Sequence, residues 1–143
     1  QSEVKNIALY GLSKDLVTAH TVEQVLSLMV RHTLEIFPCE MAVLLPEEEK
    51  LTVRAKTPDF EVNPKVLGIA SWVMLNKQPA GRGTGTLPQA TAYYLPMMSG
   101  EDVIGIAGFD FKGKEGTMTS EKRVVLKTIT RLGAMAIERI KKQ

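Results

Sequence analysis

Ala80-Gly-Arg-Gly-Thr-Gly-Thr-Leu-Pro88 decides how the rest of this chain is read. Gly81, Gly83 and Gly85 alternate with Arg82 and Thr84, and glycine loses more backbone entropy on ordering than any other residue while packing nothing. The stretch is therefore a loop, and the segments around it become the scaffold that presents it. Two readings of the loop are open. Glycine permits positive φ and close approach, so successive N–H groups can turn inward as an anion-binding nest, with Arg82 as a fixed charge and Thr84 and Thr86 as hydroxyl donors. The other reading is a glycine-rich turn between a helix and a strand.

Nucleotide motifs that the loop imitates fail on spacing. A P-loop needs Gly-Lys-Ser/Thr at its end, and no Lys follows Gly85; a dinucleotide fingerprint needs a third glycine where Thr86 stands. Asn76-Lys77 is followed by Gln78-Pro79, without the carboxylate of a guanine-reading motif.

Immediately upstream, Asn63-Pro64 is an N-cap with proline at the first helical position, and Leu67, Ala70, Val73 and Met74 continue at helical spacing toward Asn76. A short helix thus feeds the loop, with Trp72 as a core anchor or a pocket wall. Downstream, residues 93–98 and 103–111 are strand-like and joined by the turn Ser99-Gly100-Glu101-Asp102. Gly105 and Gly108 interrupt the second strand, which predicts a bulge or the close approach of another backbone or a ligand. Farther out, residues 40–45 and 51–55 form a second hairpin around Glu47-Glu48-Glu49-Lys50; this acidic turn lacks the alternate spacing and glycine of a Ca²⁺ loop.

Helices bound the whole. Thr21 opens a capping box with Gln24, and Val22, Val25, Leu26, Met29 and Val30 fall on one stripe of a helix that ends before Pro38. Val4, Ile7, Ala8, Gly11 and Leu12 predict an earlier helix, loosened at Gly11. Thr119 or Ser120 caps a last helix with Val125, Ile129, Leu132, Ala136 and Ile140 on one stripe and Arg139, Lys141 and Lys142 at its negative end. His20 and His32 are read as cap or solvent-side histidines.

At 143 residues, 44% hydrophobic and 24% charged, the chain is expected to be one folded domain spanning 1–143, with residues 1–18 as a connecting helix and 119–143 as an output helix. A net charge of +2 with scattered basic residues gives no footprint for nucleic acid. Two histidines and one cysteine are too few for a zinc site, and no cofactor is expected. Cys39 is read as a structural core residue rather than a reactive or chromophore-bearing thiol. No apolar run has membrane-spanning length and no signal-peptide pattern opens the chain, where Gln1 is expected to be a cut end.

Paired hairpins in one antiparallel sheet, with a short helix and loop on one face and the first and last helices on the other, make an α+β module. This order resembles a GAF domain. Tyr10-Gly-Leu-Ser-Lys-Asp-Leu16, Val43-Leu-Leu-Pro46, Ile69-Ala-Ser-Trp72, the loop 80–88 and Leu95-Pro-Met97 resemble, in order and spacing, the GAF-like sensor domain of the KdpD family of potassium-responsive sensor histidine kinases. The resemblance implies a non-catalytic cytoplasmic domain of an inner-membrane protein, between transmembrane helices and the phosphoacceptor and ATP-binding parts, with the histidine kinase activity in the parent protein. Neither His20 nor His32 has the phosphoacceptor setting of that class, and Gly85 stands where the family's loop usually carries an acidic residue. The signatures of cyclic-nucleotide, free-methionine-sulfoxide-reductase and bilin-binding GAF domains are absent. The alternative function is a small GAF-fold enzyme or chromophore domain using Cys39. Candidate ligand-binding residues are Trp72, Arg82, Thr84, Thr86 and Tyr94, facing a small anion or polar ligand. The expected partners are the other domains of the parent kinase and a second copy, in a parallel homodimer bundled through the terminal helices, without direct membrane insertion.

Overall fold

The computed structural model describes residues 2–112 and 117–143. Four helices and five strands follow in the order α1 (Ser2–Val17), α2 (Val22–Ile36), β1 (Glu40–Glu47), β2 (Lys50–Lys56), α3 (Pro64–Asn76), β3 (Ala80–Gly81), β4 (Tyr93–Ser99), β5 (Asp102–Asp110) and α4 (Ser120–Lys141). The strands form one antiparallel sheet in the order β2-β1-β5-β4-β3. Among the described residues no helix is long and apolar enough to cross a membrane.

Local chemistry sets most boundaries. Thr21 and Gln24 exchange the reciprocal capping-box bonds of α2. Asn63 Oδ1 accepts from the Val66 amide at 2.9 Å ahead of Pro64, and Lys77 in the left-handed region ends α3. Thr119 is the residue that caps α4. The acidic turn has positive φ at both Glu48 and Glu49, the twist that suits a two-residue hairpin. Strand β1 runs through Pro46, beyond the expected stop, because its pairing with β5 ends at Leu44↔Ile106 and only β2 lies alongside there; a missing N–H is tolerated at such an edge.

The sheet buries both faces. Met41, Val43 and Leu45 of β1, Tyr93, Leu95 and Met97 of β4, and Ala107 and Phe109 of β5 point to a layer made by α1, α2 and α4. Their neighbours Ala42, Leu44, Tyr94 and Ile106 point to α3. Gly105 is forced by the pairing with β1: a Cβ there would lie 2.8 Å from the Leu44 carbonyl oxygen and 2.5 Å from Leu45 Cδ2. The ladder also shifts register between Met97 and Met98, so both expected readings of a strand glycine hold here.

Helices α1 and α4 run parallel and are tied at both ends. Lys5 pairs with Glu121 near their starts, and Arg139 donates to the carbonyls of Leu16 and Ala19 where α1 ends. The inward stripe of α1 is Ala8, Leu12 and Leu16. Ile7, expected in it, instead faces out at 68% exposure with Tyr10 and Val17; the Val4 side chain is outside the described set. In α4 the expected stripe is used within the chain, Val125, Ile129 and Ala136 being buried and Leu132 and Ile140 packed against the core.

His32 corrects the sequence reading. It is buried rather than solvent-side, with Nε2 3.0 Å from Asp15 Oδ2 of α1 and Nδ1 2.9 Å from Glu35 Oε1, while Arg31 also reaches Asp15 at 2.8 Å. Gly11 makes the space: a Cβ on it would stand 3.1 Å from His32 Cε1. The hydrogen bond from His32, with its charge and those of Arg31 and Lys14, holds the Asp15 carboxyl below its ordinary value. A depressed carboxyl contributes stability above its unfolded-state value, and that contribution is lost as pH falls through the folded-state value. His32→Ala is expected to cost about 1–3 kcal/mol at neutral pH and to reduce the stability lost on acidification. Urea denaturation at neutral and strongly acidic pH checks this; an unchanged neutral-pH stability would show that the cluster is not a fastening.

Candidate functional site

The glycine loop begins as sheet. Ala80 and Gly81 pair with Tyr94 and Tyr93 as a two-residue edge strand. Gly81 has φ +96°, and any side chain there would collide with the Ala92 carbonyl. From that edge the chain closes on itself. The Gly81 amide donates to the Thr86 carbonyl at 2.8 Å, Arg82 to Ala92 at 2.9 Å and Thr84 to Gly81 at 3.1 Å. The Thr86 amide donates to Thr84 Oγ1 at 3.1 Å, and that hydroxyl lies 2.8 and 2.7 Å from the Gly81 and Thr86 carbonyl oxygens. The amides of Gly81, Arg82, Thr84 and Thr86 thus meet carbonyl and hydroxyl oxygens within the protein, and of the two readings this favours the glycine-rich turn.

Gly83, with φ +82°, lies against the approach to α4: a Cβ would sit 2.5 Å from Met118 Cβ, just ahead of that helix, and 3.3 Å from the Arg123 guanidinium, which donates to the Gly83 carbonyl. Arg82, whose amide donates to the Ala92 carbonyl, and Asp110, one residue beyond the last pair Tyr93↔Phe109 of the neighbouring ladder, lie near the same end of β4. No ion pair closes between them among the described residues, but the Arg82 charge acts on Asp110.

A cavity of about 220 Å³ opens at that point. Phe60, Tyr94, Val66 and Ile69 form its apolar walls, and Asp110, Asn63, Lys65 and the segment Gln89-Ala90-Thr91 supply its polar groups. Gly108 forms the floor beneath the rings, since a Cβ there would lie 2.9 Å from Tyr94 Cε2 and 3.1 Å from Phe60 Cζ. Burial raises the Asp110 carboxyl above its ordinary value, with Lys112 and Arg82 opposing and Glu40 and Glu61 assisting. Burial, aided by the Asp110 charge, pushes the Tyr94 phenol up to about 12, so Tyr94 is a neutral donor at physiological pH.

Of the expected ligand residues, Tyr94 lines this cavity and Arg82 reaches it through its effect on Asp110. Trp72, Thr84 and Thr86 do not line it. Trp72 packs against the α3-side core, and the two threonines serve the loop's internal bonds. Sequence reasoning missed Phe60 and Asp110. A signal for Asp110 was available: it follows Ile106 and Gly108 at period two, so it falls on the buried face of an apolar strand. Phe60 carried no such signal because it lies in an irregular connection. Among the described residues no group of three His, Cys, Asp or Glu side chains could hold a metal ion.

No family model matches the chain. In sequence it is 30% identical over 132 residues to the sensor protein KdpD of Escherichia coli, a match covering 92% of this chain and 15% of that protein. The chain therefore spans a small part of the relative's length. Its structure superposes on the crystal structure of the native GAF domain of the potassium sensor histidine kinase KdpD from Escherichia coli, with a TM-score of 0.82 and 29% identity over 96% of this chain and 95% of that one. The GAF domain of an Acinetobacter phosphoenolpyruvate-protein phosphotransferase gives 0.78 at 12% identity, over 99% and 97% of the two chains, which speaks to fold alone.

Cys39 is half-buried and packs against the helical-side core. Burial, with the charges of Glu40 and Asp110, pushes its thiol up to about 12, whereas a reactive cysteine needs the opposite shift. Native Cys39 is expected to react with a thiol reagent at mildly alkaline pH about a thousandfold more slowly than free cysteine, following its thiolate fraction. Labelling at the rate of the free amino acid would contradict the structural role.

Proposed function

We propose that this chain, which belongs to the GAF domains of KdpD-type sensor proteins, is a non-catalytic sensory and signal-transmitting domain on the cytoplasmic side of a membrane-bound two-component histidine kinase that regulates potassium uptake. One observation carries the reading. Arg82 acts by its charge on Asp110 of the cavity wall while the carbonyl of its neighbour Gly83 accepts from Arg123 of α4, so an internally bonded loop lies between the cavity and the start of the last helix. Occupancy of the cavity would shift the loop and, through Arg123, the helix. The alternative of an enzyme or chromophore protein using Cys39 loses its nucleophile to the raised thiol pKa.

The signal leaves through the paired helices of a parallel homodimer. Ile7, Tyr10, Lys14 and Val17 repeat at spacings of three, four and three on the outer side of α1, and Val124, Thr128, Arg131 and Met135 at four, three and four on α4, the seam spacing of packed helices. Ile7, Tyr10, Val17, Val124 and Met135 are all exposed apolar residues. The parallel setting of α1 and α4 would let two copies form a four-helix bundle in which one pair receives a shift and the other passes it on. Ile129 is fully buried, so a charge there reports on folding rather than on the dimer.

Sedimentation across a micromolar concentration range tests the dimer. The wild type should associate reversibly, while Tyr10→Asp and Met135→Asp, both on exposed positions, should stay folded by circular dichroism and associate at least about tenfold more weakly. A wild type that is monomeric at every concentration would remove this route of transmission.

A further inference from the structure

Resting on the reading of the cavity as the ligand site, we propose that it takes a small organic cation, a primary ammonium compound of a few carbon atoms, held by the Asp110 carboxylate and the Tyr94 hydroxyl between the rings of Tyr94 and Phe60. Size comes first. At about 220 Å³ the space is below the roughly 300–1,000 Å³ of pockets for drug-sized ligands, so only a small molecule fits.

Two polar groups in this space lack partners. Tyr94 is only 1% exposed and lines the cavity, yet among the described residues its hydroxyl makes no hydrogen bond. The Asp110 carboxylate is likewise without a hydrogen bond or ion pair among them, although Arg82 and Lys112 are near enough to temper its charge. Among the described residues the only buried side-chain polar atom without a partner is Thr33 Oγ1, so both groups face space that water can reach, and a ligand with matching donors would take the place of that water. An ammonium group brings three donors and a positive charge, which satisfies the carboxylate and one lone pair of the phenol together.

The walls agree with this chemistry. Ring atoms of both Tyr94 and Phe60 lie over Gly108, and aromatic faces attract a cation that is being stripped of water. Val66, Ile69 and Ala90 suit a short alkyl chain. An anion would instead face Asp110, with Glu61 also on the lining, and a neutral alcohol would add no charge to the partial compensation that Lys112 and Arg82 give the carboxylate. Lys65, on the exposed first turn of α3, can point its amine to water and vacate the mouth.

The test is thermal denaturation of the 143-residue chain with propylammonium chloride, sodium propionate and propan-1-ol at matched ionic strength. Propylammonium should raise Tm saturably by a few degrees where the other two do not. Asp110→Asn should weaken that effect by at least about tenfold, and Tyr94→Phe should weaken it less. If propionate or propan-1-ol raises Tm equally and the effect depends on Tyr94 or Asp110, the cavity remains a ligand site but the cation class is wrong. If the propylammonium effect survives Asp110→Asn, the cation binds elsewhere and the proposal fails. If none of the three probes shifts Tm, the reading of the cavity as a ligand site fails with it.

Discussion

A sheet with both faces buried cannot be covered by one layer of helices, and the strand at its centre must let neighbours from either side come close. In this chain β5 meets that demand with glycine. Gly105 admits the backbone of β1, which brings the α1, α2 and α4 layer onto Met41, Val43 and Leu45 in register. Gly108, on the other face, admits the rings of Tyr94 and Phe60 and so creates the floor of the cavity under α3. A methyl group at either position would separate partners that are in contact, and packed interiors relax only partly around such changes. The period-two alternation then assigns every other strand residue to one of the two cores.

The glycine loop depends on this arrangement because it leaves the sheet at the β3 edge, where the layers meet. Its internal bonds give it a fixed shape, and its positive-φ glycines allow it to turn round the edge. What makes it a connection in the proposed scheme is that Arg82 acts by its charge on Asp110 while the Gly83 carbonyl accepts from Arg123. The helical layer that receives this contact is itself braced, by Lys5 with Glu121, by Arg139 on the end of α1, and by the Asp15–His32–Glu35 cluster between α1 and α2. In the proposed scheme a displacement at the start of α4 would be shared with α1 through these ties.

Much of the fold was legible because its signals are local. Thr21 with Gln24, Asn63-Pro64, the turn at Ser99-Gly100 and the long stripe of α4 each specify an element within a few residues, and the order of elements then resembles the GAF family, to which the structure conforms. The parts that were not legible are set by contacts distant in sequence. Nothing near His32 shows that Gly11 vacates space for its ring, or that Asp15 lies across from it. Val4, Ile7, Ala8 and Leu12 were read as one stripe because they share a helical spacing, but packing against the other helices turns Ala8, Leu12 and Leu16 into the core and leaves Ile7 exposed. For the candidate site the sequence reading named Tyr94, which lines the cavity, and Arg82, which acts on Asp110 by its charge, whereas Phe60 and Asp110 come to the cavity only through the pairing of β5 with β4 and the return of the connection after β2. Thr84 looked like a ligand donor because a sequence cannot show that its hydroxyl is already engaged.

The claim that the loop mechanically joins the cavity to the output helix is tested most directly by amide hydrogen exchange in Arg123→Ala, compared with the wild type under native conditions. If the loop is the connection, exchange should quicken by about tenfold or more at Gly81, Arg82 and Thr84 and also at Val66 and Ile69 on the cavity wall, beyond any change in the first turn of α4. A change confined to that first turn, with the loop and cavity amides as protected as before, would contradict the account.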